Sequence, residues 1–259
     1  MTRVAVLGAG GTMGRLVCRA VHDEPDLELV AGVDPSMAGD PLPEPAGTDL
    51  AVGGDLDALT DAKAEVAVDF TRPDAVMDNV RGALDRGMHA VVGTTGIAPH
   101  QLDQIREWVA GGDLGVVVAP NFSVGAVVSQ RLAAEAARFF AAAEVIELHH
   151  DRKVDAPSGT AAATARRIAE AREEAWSGPT GGEEFRGGDV EGIRIHSVRL
   201  PGLVAHQEVI FGAQGQTLTI RHDAPDRSCY LPGILLAIRE VRQRPGLTVG
   251  LEPLLGLEN

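Results

Sequence analysis

The stretch Glu147-Leu148-His149-His150-Asp151-Arg152-Lys153-Val154-Asp155-Ala156-Pro157-Ser158-Gly159-Thr160 is the part of this chain where side-chain types and spacing speak most directly of chemistry. A β-type run delivers two imidazoles, two cations follow, and Pro157 with Ser158 signals the start of a helix. An imidazole titrates near neutral pH and can hand over a proton. Lys153 or Arg152 can neutralise an anion, and the N–H groups of the helix's first turn, at Ser158, Gly159 and Thr160, can hold a carboxylate. The combination suits an anionic substrate that is protonated as it reacts. Adjacent histidines lack the His-x₃-His spacing of a helical zinc site, so no metal is implied.

A second constellation lies near the N-terminus. A short strand runs into Gly8-Ala9-Gly10-Gly11-Thr12-Met13-Gly14 and then into a helical pattern. Met13 stands where the strict G-x-G-x-x-G pattern has glycine, so the fit is G-x-x-G-x-x-G. Glycines here allow a tight turn, close approach of backbone to a pyrophosphate, and close helix–strand packing. Twenty residues beyond Gly14, Asp34 ends the second strand, where a carboxylate can accept hydrogen bonds from ribose hydroxyls. It would repel a 2′-phosphate, and Pro35-Ser36-Met37 offers no cation, so NADH is expected to serve at least as well as NADPH. Three further loops, Asp69–Pro73, Gly93–Gly96 and Ala119–Ser123, are small and polar and belong to the same ligand-binding edge.

These groups need a scaffold, and the hydrophobic pattern supplies one. Strands are expected at Arg3–Leu7, Leu27–Val33, Glu65–Asp69, His89–Val92 and Gly115–Ala119, with helices at Met13–His22, Ala75–Arg86 and Pro99–Ala110. Strands apolar throughout and alternating with helices imply βαβ units and a Rossmann-like, doubly wound parallel sheet in an α/β protein. After Asn121 the pattern changes: helices at Val124–Phe140 and Ser158–Glu174, and strands at Glu144–Leu148, Ile193–Leu200, His206–Phe211 and Thr217–Arg221. This reads as a second, α+β region with an open mixed sheet. A glycine-rich mobile loop is expected over Trp176–Gly192, and a helix at Leu231–Arg242 and a short strand at Leu247–Val249 follow. Two helices cover one sheet face. The apolar residues of Glu208–Phe211 and Thr217–Ile220 would line the other and support a homo-oligomer.

Composition narrows the field. The formal charge is −14, from 37 acidic residues against 23 Lys and Arg, and aromatics make up 3%. A nucleic-acid platform would need a basic surface and stacking rings, so no nucleic acid is expected as partner. Two cysteines fit a reducing compartment. No apolar run is long enough for a membrane span or a signal segment, so a cytoplasmic protein without a membrane partner is expected.

The stretch Glu147–Thr160 resembles the signature of the dihydrodipicolinate reductase family, now called 4-hydroxy-tetrahydrodipicolinate reductases, of the bacterial diaminopimelate/lysine pathway. The resemblance extends to Gly8–Gly14, Asp69-Phe70-Thr71, Gly93–Gly96, Ala119–Phe122, Gly202–Gly212 and Thr217–His222. The tail Arg244–Leu255 looks like the actinobacterial branch. The resemblance implies a dinucleotide-binding domain of residues 1–123 completed by 228–259, and an inserted α+β substrate and oligomerisation domain of residues 124–227. It implies reduction of 4-hydroxy-2,3,4,5-tetrahydrodipicolinate to 2,3,4,5-tetrahydrodipicolinate by NADH or NADPH, and a homotetramer built through the inserted domain around a small dicarboxylate substrate. It further implies His149 as proton donor and Lys153 as a second proton donor that pairs with substrate charge. His150, Ser158, Gly159 and Thr160 would bind substrate. Gly8, Ala9, Gly10, Gly11, Thr12, Met13, Asp34, Gly93, Thr94, Thr95, Ala119, Pro120, Asn121 and Phe122 would line the cofactor.

Overall fold

The computed structural model describes residues 1–172 and 185–257, which form two compact units: Met1–Ser123 with Tyr230–Asn259, and Val124–Cys229. Parallel pairing governs the first. Strands β1 (Thr2–Leu7), β2 (Leu27–Val33), β3 (Val52–Gly53), β4 (Val66–Asp69), β5 (His89–Val92), β6 (Gly115–Val118) and β12 (Gly246–Val249) form one sheet in the order β12-β6-β5-β4-β1-β2-β3. Each neighbouring pair in it is parallel. The order reverses between β1 and β4, the switch point at which such sheets open a ligand crevice.

The near-continuous apolar runs are explained by helices on both faces. Ala5, Ala67, Ala90 and Val116 share a face and pack beneath α2 (Asp57–Asp61), α3 (Val76–Asp85) and α4 (Pro99–Trp108). The alternate residues Val4, Val66, Val91 and Val117, all fully buried, face the opposite way. There α1 (Thr12–Asp23) packs on α7 (Leu231–Glu240). Strand β3 and helix α2 were not foreseen. Each is very short, and β3 pairs with β2 over two residues, Gly32–Val52 and Val33–Gly53, too brief to leave a periodic signal.

The second unit is a mixed sheet, β11-β10-β7-β9-β8, from β7 (Ala142–His149), β8 (Gly188–Val190), β9 (Ile193–Arg199), β10 (Ala205–Ala213) and β11 (Gln216–Ala224). A two-residue turn at Gln214-Gly215 joins the last two, and Gly215, its second central residue, takes φ +77°, a conformation that favours glycine. Helices α5 (Val124–Ala137) and α6 (Gly159–Glu170) cover one face, burying Val145, Ile195, Val209 and Phe211.

This corrects the expected open face. Register places Val209 and Phe211 opposite Ile220 and Leu218 on the helix side. The uncovered face instead carries Ile146, Leu148, Val198 and Ile210, bordered by the ion pairs Glu208–Arg221, His206–Asp223 and Glu144–His196. The mobile loop expected at Trp176–Gly192 lies outside the described residues as far as 184. Beyond that it is ordered, since Gly188–Val190 pairs with Ile193–Ile195 as β8.

His89, at the start of β5, accepts a hydrogen bond on Nδ1 from the Gly115 N–H at 2.9 Å, which requires an unprotonated nitrogen. Burial, aided by Arg242 and opposed by Glu65, holds its pKa below the ordinary 6.5. A depressed histidine stabilises the fold fully above its unfolded pKa and less as pH falls through the folded one. Chemical-denaturation midpoints should therefore fall between pH 7 and pH 5. His89→Gln, which keeps an acceptor but does not titrate, should show a smaller fall, and an equal fall in both proteins would refute this role.

Candidate active site

In the first unit the glycine turn has two steric requirements. Gly8 sits at φ +78°, strained for any L side chain, and a Cβ on Gly14 would lie 1.9 Å from the Gly8 carbonyl oxygen. Only glycine lets α1 begin this close to β1. Gly8 and Ala9 both donate their N–H to the Val33 carbonyl, tying the turn to the end of β2. Beside it opens a cavity of about 640 Å³ bordered by Gly8, Gly11, Asp34, Ser36 and Thr71. Asp34 accepts from Gly10 N–H at 3.1 Å and from the Ser36 hydroxyl at 2.6 Å. Burial would raise its carboxyl, but the Ser36 and Gly10 donors and the nearby Arg15 cation together hold it below the ordinary range. The loop after Asp34 holds no cation, but Arg15 comes from α1 and donates to the Gly10 carbonyl at 2.8 Å. A backbone-lined cradle beside a helix start and an ionised carboxylate fits a dinucleotide.

The other edge loops are interlocked. Buried Asp69, ending β4, accepts from the Thr71 N–H and hydroxyl, from Asn79 Nδ2 and, at 2.5 Å, from the Thr94 hydroxyl. Thr94 is thus turned inward, Gly93 is half-buried, and Thr95 and Gly96 are the exposed residues of the loop. The Phe70 ring covers Gly93 and meets the Phe122 ring at 6.1 Å between centroids. Phe122 and Ala119 are buried, while Pro120 is exposed and Asn121 accepts from the Ser123 N–H at 2.9 Å. Ala9 is buried, Met13 half-buried and Thr12 exposed. Of the residues expected to line the cofactor, Ala9, Thr94, Ala119 and Phe122 thus have their side chains turned to the core. Any contact from them to a cofactor would be through backbone.

In the second unit His149 ends β7, and its Nδ1 meets the carboxylate of Glu147. Glu147 has no solvent exposure. Arg199, ending β9, clamps it with Nη1 and Nη2 at 2.9 and 2.7 Å, and the Ser158 N–H donates to it at 3.3 Å. Burial alone would raise the Glu147 carboxyl; the donors His149, Arg199 and Ser197 outweigh it and bring it from 4.5 to about 2. Ser158 caps α6 by accepting from the Ala161 N–H at 3.1 Å. Gly159 opens the helix, and a Cβ added there would meet no protein atom within 4 Å. The His150 Nδ1 is buried without a hydrogen-bond partner. Lys153 Nζ reaches both Asp155 carboxylate oxygens at 2.8 Å, and that pair is far more exposed than the Glu147 pair.

The structure therefore gathers His149, Ser158 and the start of α6 around one buried carboxylate. Glu147 and Arg199 were not anticipated as part of the site. A signal existed: in alternating strands, Glu147 shares the inward face with Val145, and Arg199 with Ile193 and Ile195, positions that call for apolar residues. Among the described residues no cluster of His, Cys, Asp or Glu could hold a metal, and no helix is long and apolar enough to cross a membrane.

The chain matches the family described as "Dihydrodipicolinate reductase, N-terminus" over residues 2–122 and "Dihydrodipicolinate reductase, C-terminus" over residues 125–255. It is 52% identical over 260 residues to the 4-hydroxy-tetrahydrodipicolinate reductase of Mycobacterium sp. (strain KMS), covering 98% of this chain and 99% of that protein. The enzyme of that name from Nocardia farcinica is 53% identical over 262 residues, again 98% and 99% of the two chains. A solved structure, the dipicolinate-bound dihydrodipicolinate reductase from Paenisporosarcina sp. TG-14, superposes with a TM-score of 0.87 at 40% identity, covering 98% of this chain and 99% of that one. Likeness of this degree along the whole length, on the same fold, makes this chain a member of the dihydrodipicolinate reductase family.

Proposed function

We propose that the protein reduces 4-hydroxy-2,3,4,5-tetrahydrodipicolinate to 2,3,4,5-tetrahydrodipicolinate and water, consuming NADH or NADPH and one proton, on the route to diaminopimelate and L-lysine. The observation that carries this reading is the convergence of His149 and the start of α6 on buried Glu147, in a chain whose solved relative holds dipicolinate, a flat dicarboxylate. The first unit is the dinucleotide-binding domain, and Val124–Cys229 the substrate-binding domain.

The substrate is a cyclic imine with two carboxylates, and loss of its hydroxyl as water leaves a conjugated ring. Reduced nicotinamide, when held by the glycine turn and the loops after β4, β5 and β6, supplies the hydride. His149 gives the proton that the neighbouring carbon needs, from Nε2, because Nδ1 is engaged by Glu147. The first turn of α6 at Gly159 and Thr160 receives one carboxylate, with His150 beside it. Lys153 neutralises carboxylate and ring charge as it develops, and serves as second proton donor. Its pairing with Asp155 is exposed, a class of contact worth about 0–1 kcal/mol, so a substrate carboxylate can take Asp155's place at little cost. The overall charge of −14 makes such local cations necessary for a dianion to approach.

The uncovered face of the second sheet, apolar at its centre and ionic at its border, supports a homotetramer assembled through this domain. A reducing, cytoplasmic setting suits the two free cysteines, of which Cys18 is buried with its thiol pushed up to about 12 by that burial.

Three measurements test these assignments. Following 340 nm absorbance with freshly generated substrate, His149→Gln should lower turnover by about 10²–10⁴-fold with little change in cofactor affinity. Near-normal turnover in both His149→Gln and Lys153→Ala would overturn the site. In the same assay kcat/KM with NADH should equal or exceed that with NADPH, because Asp34 faces the ribose, and a strong NADPH preference would refute that role. Sedimentation should give a tetramer, and a monomer at micromolar concentration would exclude assembly through the open sheet face.

A further inference from the structure

Glu147 occupies a position that the sheet reserves for apolar side chains, between Val145 and His149 on the face covered by α5 and α6. A carboxylate there is tolerated only with donors around it. It has them from three separate segments: His149 Nδ1 on its own strand, both terminal nitrogens of Arg199 at the end of β9, and the Ser158 N–H at the cap of α6. Arg199 Nη2 also donates to the Asp155 carbonyl at 2.7 Å, fixing the loop that carries Lys153. One buried charge thus touches the end of the strand bearing the imidazole and the start of the helix expected to hold a carboxylate.

We infer that Glu147 is a positioning residue for the reaction, locking His149 in the tautomer with hydrogen on Nδ1 and orienting Nε2 toward the first turn of α6. The inference rests on the reading of His149 as proton donor. A carboxylate accepts hydrogen bonds and donates none, so the imidazole nitrogen facing it must carry hydrogen. When Nε2 gives up its proton, the ring is left as a single neutral tautomer, ready to be reprotonated at the same atom. Arg199 holds both carboxylate oxygens in place, so that Glu147 cannot swing away with the ring. A residue that merely joined strand to helix would not need to be an acid, because a glutamine carbonyl can accept the Ser158 N–H equally well. Its amide NH₂, however, would then confront both Nδ1–H of His149 and Nη1 of Arg199, two donors.

The test uses Glu147→Gln and, because that change leaves the Arg199 cation alone, the double variant Glu147→Gln/Arg199→Gln. ¹⁵N NMR of the neutral His149 ring in the full-length protein should show Nδ1 protonated in the wild type and a substantial Nε2–H population in the folded variants. Turnover should fall by roughly tenfold or more, with a much smaller change in the KM for either substrate or cofactor, as expected when a tautomer is lost. In a His149→Gln background, adding Glu147→Gln should cause little further loss, since the effect travels through the imidazole. An unchanged tautomer and turnover in the folded variants, with His149→Gln still inactive, would overturn the positioning role alone. Normal turnover of His149→Gln would instead sink the underlying assignment. Failure of both variants to fold, against a folded His149→Gln, would make Glu147 a structural residue and reject the inference.

Discussion

A carboxylate removed from water must be surrounded by donors, and both units of this protein are organised around one that is. Asp69 in the parallel sheet and Glu147 in the mixed sheet each lie at or near the C-terminal end of a strand, each almost or entirely without solvent exposure. The donors come from segments far apart in sequence: Thr71, Asn79 and Thr94 for one, His149, Ser158 and Arg199 for the other. Glu147 is no obvious contributor to net stability, since a buried charge pair often does no better than well-packed apolar side chains. What such a charge does impose is geometry. Segments distant in sequence are drawn onto one point.

The glycine turn solves the complementary problem. At Asp69 and Glu147 side chains fix backbone; at Gly8 and Gly14 the absence of side chains lets backbone approach backbone. A Cβ on Gly14 would nearly coincide with the Gly8 carbonyl, and a Cβ on Gly8 would lie 2.6 Å from the Phe70 carbonyl oxygen. The turn is therefore packed against both α1 and the loop after β4. The cavity beside this turn is bordered by Gly8 and Gly11 on one side and by Asp34 and Thr71 on others.

Most of this architecture was legible in the chain, for reasons that differ by element. The apolar runs 27–33, 66–69, 89–92 and 115–118 are readable because a strand buried on both faces has no polar alternation to blur it. The Pro157-Ser158 helix start is readable because capping is local chemistry. Strand β3 and helix α2 are short and are defined by pairing with distant residues, so the local sequence carries little of them. The open sheet face was misjudged because hydrophobicity counts apolar residues without register. Val209-Ile210-Phe211 is apolar three times over, yet only Ile210 points outward. The imidazole and lysine stand out by type and motif. Glu147 and Arg199 were missed because charged residues are presumed exposed, although their inward parity along β7 and β9 marked them as exceptions.

The two ion pairs of the second unit show how burial separates holding from exchanging. Lys153–Asp155 and Arg199–Glu147 are both cation–carboxylate contacts with heavy-atom distances between 2.7 and 2.9 Å. Asp155 is solvated, so water can stabilise its carboxylate when the pair parts. Glu147 has no such exit, because breaking its pair would leave a charge in the core, a cost of about 3–5 kcal/mol. Arginine fits the second task by its rigid, two-pronged donor geometry, and lysine the first by its flexible stem and single charged tip. The placement of one pair under the sheet's helices and the other in the loop outside them thus assigns a fixed frame and a movable contact to residues that sequence alone would call equivalent.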